Sequence, residues 1–194
     1  MKRKQIIKQG SEPAFAELVS KGRLEFLFDG IFAIAMTILV LELKVPELAD
    51  RLSNHELGTA LLHHGRAFFS YILSFIVLSI FWITHNWVYA HIRKISISCL
   101  CIHVWLLMVA AFLPFCAHML GKYGRNSLAV QIYCFEVIAY MFGILVLILI
   151  AWKQKLFDPE MTVTRIKKMR RLTLLVLLIW IVYFVIFGIL RPWR

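Results

Sequence analysis

An all-α integral membrane protein, a helix bundle with about five transmembrane helices, is what this sequence predicts, and three observations carry that reading. The 194 residues are 61% hydrophobic and only 17% charged, with a mean hydropathy of +0.77. Soluble domains sit nearer about 45–50% apolar, and a chain this short cannot hide the excess from water. The excess lies in long runs, each at or near the roughly 20 residues that cross the hydrocarbon core as a helix. A soluble enzyme and a disordered tail are both excluded.

Five such runs cover 26–43, 67–89, 95–120, 128–152 and 172–190. The first carries Gly30, Ala33, Ala35 and Thr37 between Asp29 and Glu42, and small residues of this kind let helices approach closely at a bundle centre. The polar stretch 45–66 leads to the second run and contains Ser53-Asn54-His55-Glu56, a capping box that starts a short helix. His63-His64 could bind metal, but a surface pair in a loop is more often just solvated. The third and fourth runs hold the lone His103 and Glu136, to which the sequence assigns no role. Cys99, Cys101, Cys116 and Cys134 all lie in apolar runs without a CxxC, as packing residues do and zinc or disulfide frameworks do not. The linker 153–171 is polar and basic. Residues 1–22 lack the apolar stretch of a signal peptide, so they read as a tail, with the first span directing insertion.

Charge sets the orientation. The chain has 22 Lys plus Arg against 11 Asp plus Glu, for a net +11. The tail, the second-to-third loop and the fourth-to-fifth linker alternate onto one side and hold 15 of the basic residues. The opposite side holds seven: Lys44, Arg51, Arg66, Lys122, Arg125, Arg191 and Arg194. The positive-inside rule therefore places the N-terminal tail in the cytoplasm and the end of the fifth span outside, in a multi-pass protein of the cell membrane. The same rule explains the basic balance without nucleic acid, since no basic stripe with interleaved aromatics stands outside the spans.

The first run has one distinctive face. At 100° per residue, Ile34, Thr37, Ile38 and Leu41 share a side, and Asp29 lies about 140° away from Ile34. That strip is either ordinary packing or a surface with a task. Trp82-Ile83-Thr84-His85-Asn86-Trp87 lies at the depth of Asp29 in the second run. Ionisable groups within a span usually face protein or water. A buried cluster of Asp29, His85 and Asn86 closed by Arg23 is therefore expected, structural in role unless it handles protons. No GxSxG, HExxH, P-loop or dinucleotide fingerprint occurs, so no catalytic residue, metal site or cofactor is expected.

Arg23-Leu24-Glu25-Phe26-Leu27-Phe28-Asp29-Gly30-Ile31-Phe32-Ala33-Ile34-Ala35-Met36-Thr37-Ile38-Leu39-Val40-Leu41-Glu42 resembles the signature first helix of the transmembrane protein 175 family, lysosomal potassium channels and their prokaryotic relatives. That signature is Arg, three residues, Phe-Ser-Asp, then an Ala-Ile-x-x-Thr-Leu-Leu-Val-Leu-Glu run. Ser70-Tyr71-Ile72-Leu73-Ser74-Phe75, Phe81-Trp82-x-x-His85 and Phe112-Leu113-Pro114-Phe115 are similar to later parts of the family pattern. The resemblance covers roughly residues 20–150.

It implies a channel domain over 23–194 that assembles in the lipid bilayer as a homotetramer, the first helix of each subunit lining a central pore. Potassium is the implied ion, and no cofactor is implied. Ile34 falls on the principal constriction, Ile38 and Leu41 continue the apolar wall, and Thr37 is the polar layer associated with selectivity. Arg23, Asp29, Trp82 and His85 map onto a network behind the pore helix, and Asn86 adjoins it. Two departures stand out. Leu27-Phe28 replaces the Phe-Ser of the signature, removing a hydroxyl from the network, and prokaryotic relatives have six spans where this sequence shows five before Arg191-Pro192-Trp193-Arg194.

Three functions of different classes follow: a potassium-permeable cation channel subunit with a hydrophobic gate, a proton-coupled carrier using Asp29 and His85, and a non-conducting membrane scaffold. Against the carrier, no pair of Gly/Pro-broken spans marks a midplane substrate site.

Overall fold

The computed structural model describes residues 20–45 and 54–190. Its helices run α1 (Lys21–Leu41), α2 (Asn54–His63), α3 (Gly65–Ala90), α4 (Ile97–Tyr123), α5 (Ser127–Lys153) and α6 (Val163–Leu190). All but α2 are long and apolar enough to cross a membrane, as the five hydrophobic runs predict, and the protein is a multi-pass membrane protein. Most of the tail 1–22, the capping serine Ser53, Arg51 and residues 191–194 lie outside the described residues. The short helix expected after Ser53 is α2, and it buries no residue.

Hydropathy marks what the membrane hides, whereas capping marks where a helix begins. The fifth span shows the difference. Its apolar run starts at 172, yet α6 begins at Val163, where Thr162 Oγ1 accepts the Arg165 N–H at 3.4 Å. The basic stretch 165–171 thus extends the helix beyond its apolar part. Local caps also start α4, through Ser96 Oγ and the Cys99 N–H at 3.3 Å, and α5, through Asn126 Oδ1 and the Leu128 N–H at 2.8 Å. Such caps satisfy amides that have no partner within the helix.

The bundle is built around α5, which packs on α3, α4 and α6. Gly143 explains the close approach of α5 to α4. A Cβ there would come within 2.8 Å of Leu106 and 3.1 Å of Trp105, so a small residue sets the spacing. Across the core, the Tyr140 ring stacks on Phe81 at 3.7 Å and its hydroxyl donates to the Phe81 carbonyl at 3.3 Å. Cys99, Cys116 and Cys134 are buried and Cys101 is exposed, all four as free thiols. Among the described residues, α6 packs only on α5, and α1 packs only on α3 and α4. The two helices therefore flank the bundle on different sides.

The connection between α3 and α4 docks on the linker between α5 and α6. The Arg93 N–H donates to the Leu156 carbonyl and the Asp158 N–H to the His91 carbonyl, both at 2.9 Å. Arg93 also pairs with Asp158 at 3.2 Å. Both connections sit at one end of the bundle, as their charge pattern predicts.

Candidate functional site

The first helix is two-faced in the single chain. Leu24, Phe28, Phe32, Ala35 and Leu39 are buried against α3 and α4. The opposite side stays open: Ile34 is 60% exposed, Ile38 39% and Leu41 76%. Thr37 is exposed between them, and its hydroxyl donates to the Ile34 carbonyl one turn back at 2.8 Å. Toward the start of the helix the same side continues through Gly30, Leu27 and Phe26 to Arg23, beside a shallow depression lined by Arg23, Leu27, Gly30 and Ile34. The strip drawn on the helical wheel is thus a surface and not part of this subunit's core.

The polar residues behind α1 do not form the single buried cluster expected of them. Asp29 is exposed and accepts a hydrogen bond from Trp82 Nε1 at 2.8 Å. His85, one turn along α3, is fully buried and faces elsewhere. Its ring stacks on Phe28 at 3.3 Å, and its Nε2 meets His103 Nδ1 of α4 at 3.2 Å, one nitrogen donating and the other accepting. Asn86 is half-buried and joins neither pair. Arg23 stands exposed in the first turn of α1.

The cause of this division is steric. The Phe28 ring fills the layer between α1 and α3, stacked on His85, with no exposure at all. An aromatic face can stack on an imidazole, but it cannot relay a hydrogen bond to Asp29. The polar network is therefore two networks, Trp82–Asp29 near the surface and His85–His103 in the interior.

His103 was unassignable from sequence because its partner lies 18 residues away on another helix. Glu136, the other lone ionisable group, is buried in α5 with no hydrogen-bond partner for its carboxyl among the described residues. A third pair had no sequence signal at all: His118 Nδ1 of α4 meets Glu42 Oε2 just past α1 at 2.6 Å.

The Trp82–Asp29 bond gives a direct test. Hydrogen bonds to charged groups contribute about 1.5–3 kcal/mol, and partial exposure places this one at the low end. Asp29→Ala and Trp82→Phe should each lower the thermal unfolding midpoint. The double variant should lose little more than either single one, because both remove the same contact. Additive losses in this double-mutant cycle would mean that the pair contributes nothing as a pair.

Fold and site together define a polytopic helical membrane protein whose first helix presents an apolar, hydroxyl-bearing strip to whatever adjoins it. Residues 23–114, just under half of the chain, match the family model described as endosomal/lysosomal potassium channel TMEM175, and this segment is similar to that family. A Streptomyces collinus protein named a potassium channel is 34% identical over 110 residues, covering 56% of this chain and 51% of the relative. The zebrafish (Danio rerio) protein named endosomal/lysosomal proton channel TMEM175 is 29% identical over 128 residues, covering 61% of this chain and 25% of the relative. The match to the bacterial relative thus spans about half of that protein's length. Among solved structures, the crystal structure of a lysosomal potassium-selective channel TMEM175 homolog from Chamaesiphon minutus superposes with a TM-score of 0.76. At 23% identity it covers 87% of each chain, which establishes a shared fold.

Proposed function

We propose that this chain is a potassium-permeable cation channel subunit that assembles as a homotetramer, with α1 of each copy lining a central pore. One observation carries the proposal: the face of α1 bearing Ile34, Thr37, Ile38 and Leu41 is open in the single chain, while the opposite face packs on α3 and α4. A single such strip cannot enclose a water path, whereas four related by rotation can. The Streptomyces relative's name supplies the ion and the zebrafish relative's name adds protons as a second ion to test.

In this assembly Ile34 forms the narrowest ring, Ile38 and Leu41 continue the apolar wall, and Thr37 supplies the polar layer. Trp82–Asp29, on the flank of α1, holds the helix at its angle to α3. The basic-rich end of the bundle faces the cytoplasm by the positive-inside rule, in the cell membrane. No cofactor or catalytic residue is required, because the work is selective passage down a gradient.

Recording from purified protein in a planar bilayer tests the reading. Unitary steps carried by potassium support it. Saturable, substrate-dependent flux without steps would make the protein a carrier, and silence would make it a scaffold. Replacing potassium by an impermeant cation across a pH gradient measures the proton component. Native mass spectrometry should show four copies, and a monomer that still carries unitary current would overturn the pore assignment.

A further inference from the structure

At the end of the bundle opposite the docked loops, a cavity of about 280 Å³ opens between the end of α1, the start of α3 and the end of α4. The proposed orientation makes this the outer side, where the positive-inside rule leaves few cations. Of the four lysines and arginines described there, Lys44, Arg66, Lys122 and Arg125, the first three line this one cavity. Among the described residues, Glu42 supplies the only lining carboxylate, and it is engaged by His118 at 2.6 Å. Three cationic side chains therefore line the space against one carboxylate, and that carboxylate has His118 as its partner.

His63 and His64 also line the cavity. They do not make a metal site, since no three His, Cys, Asp or Glu side chains among the described residues are placed to hold a metal ion. His64 Nδ1 is committed to the Ala60 carbonyl at 3.0 Å, which requires it to carry the proton. Leu39, Leu43 and Tyr71 add apolar surface to the lining. Cationic donors and apolar side chains in one cavity, at the level where the spans end, suit an oxyanion attached to a hydrocarbon chain. A phosphate offers several acceptor oxygens to such a group of donors, and basic pockets between transmembrane helices are known to take anionic headgroups.

We propose that this cavity binds a phosphate-bearing anion, its phosphate on Lys44, Arg66 and Lys122 and any acyl chain along Leu39, Leu43 and Tyr71. The site is separate from the exposed strip of α1, so it stands whether or not that strip lines a pore.

Native mass spectrometry of the full chain in detergent tests it, with phosphatidylglycerol as probe and diacylglycerol of the same acyl chains as the phosphate-free control. Phosphatidylglycerol should be retained and diacylglycerol not. Arg66→Gln with Lys122→Gln should cut retention by roughly tenfold or more, as expected for loss of two charged contacts. Arg66→Lys with Lys122→Arg should keep it, and Arg125→Gln, on the same side but outside the cavity, should leave it unchanged. Added inorganic phosphate separates the two sources: displacement of the lipid means that the free anion suffices, and its failure means that the lipid form is needed. Equal retention of the two lipids, unchanged retention in the double glutamine variant, or an equal loss in Arg125→Gln would overturn the site. The conservative pair and the lipid comparison on the unmodified chain decide the matter even if the glutamine variant does not fold.

Discussion

Ile34→Asn is expected to raise the basal current of the assembled protein. Four isoleucine side chains meeting on an axis leave a ring too narrow and too apolar for a water column, and an ion crossing it sheds hydration with nothing in exchange. Hydrophobic constrictions gate by dewetting in this way. Asparagine is smaller than isoleucine and offers a donor and an acceptor, so it both opens the ring and lets it wet. Only about 1.4 kcal/mol off the crossing barrier gives a tenfold rise.

The choice of control follows from burial. Met36 lies about 160° from Ile38 on the wheel and is packed half-buried against the core, so Met36→Asn tests packing as well as position. Leu178 of α6 is 57% exposed, on a helix that does not touch α1, and Leu178→Asn adds the same polar burden away from the strip. Both controls should leave the basal current unchanged. An equal rise at Ile34 and at the controls, or no rise at Ile34, would remove the pore assignment.

Phe28→Ala is expected to cost the most stability of any single change at α1. Its ring stacks on His85 at 3.3 Å, on Phe32 at 4.4 Å, and lies 5.6 Å from His103, so removing it empties the joint between α1, α3 and α4. Phe→Ala in a packed core costs about 3–5 kcal/mol. The mechanism holds in lipid because close packing is what drives helix association there. The void would also remove one of the two rings stacked on His85, leaving Tyr89 at 4.4 Å. Denaturation in mixed micelles should show the loss, and Phe28→Leu, which refills much of the volume, should recover part of it. A Phe28→Ala variant with unchanged stability would mean that α1 is held chiefly by contacts outside this layer.

The division between sequence and structure is visible in particular residues. The strip of Ile34, Thr37, Ile38 and Leu41 was legible because helical periodicity alone places them on one side. That this side is open was not legible, since a packing face and a free face have the same periodicity. Asp29 and His85 share a depth in the membrane, which made one cluster the natural expectation. Depth says nothing about rotation about each helix axis, and the rotation sends His85 to His103 and leaves Asp29 with Trp82. The Glu42–His118 pair and the basic cavity around it gave no local signal, because their residues come from three helices far apart in the chain.

What the sequence by itself determined is the class of protein, the apolar spans and the alternation of charged ends. Each of these depends on composition or on a local period, quantities that survive without knowledge of neighbours. Only the tertiary structure decided which face of α1 stays uncovered, how Phe28 divides the polar residues into two pairs, and where three cations gather. Those outcomes depend on how each helix is turned against the next. That rotation is set by side-chain volume at the contacts, such as Gly143 against Leu106 and Phe28 against His85, and not by any pattern along one segment.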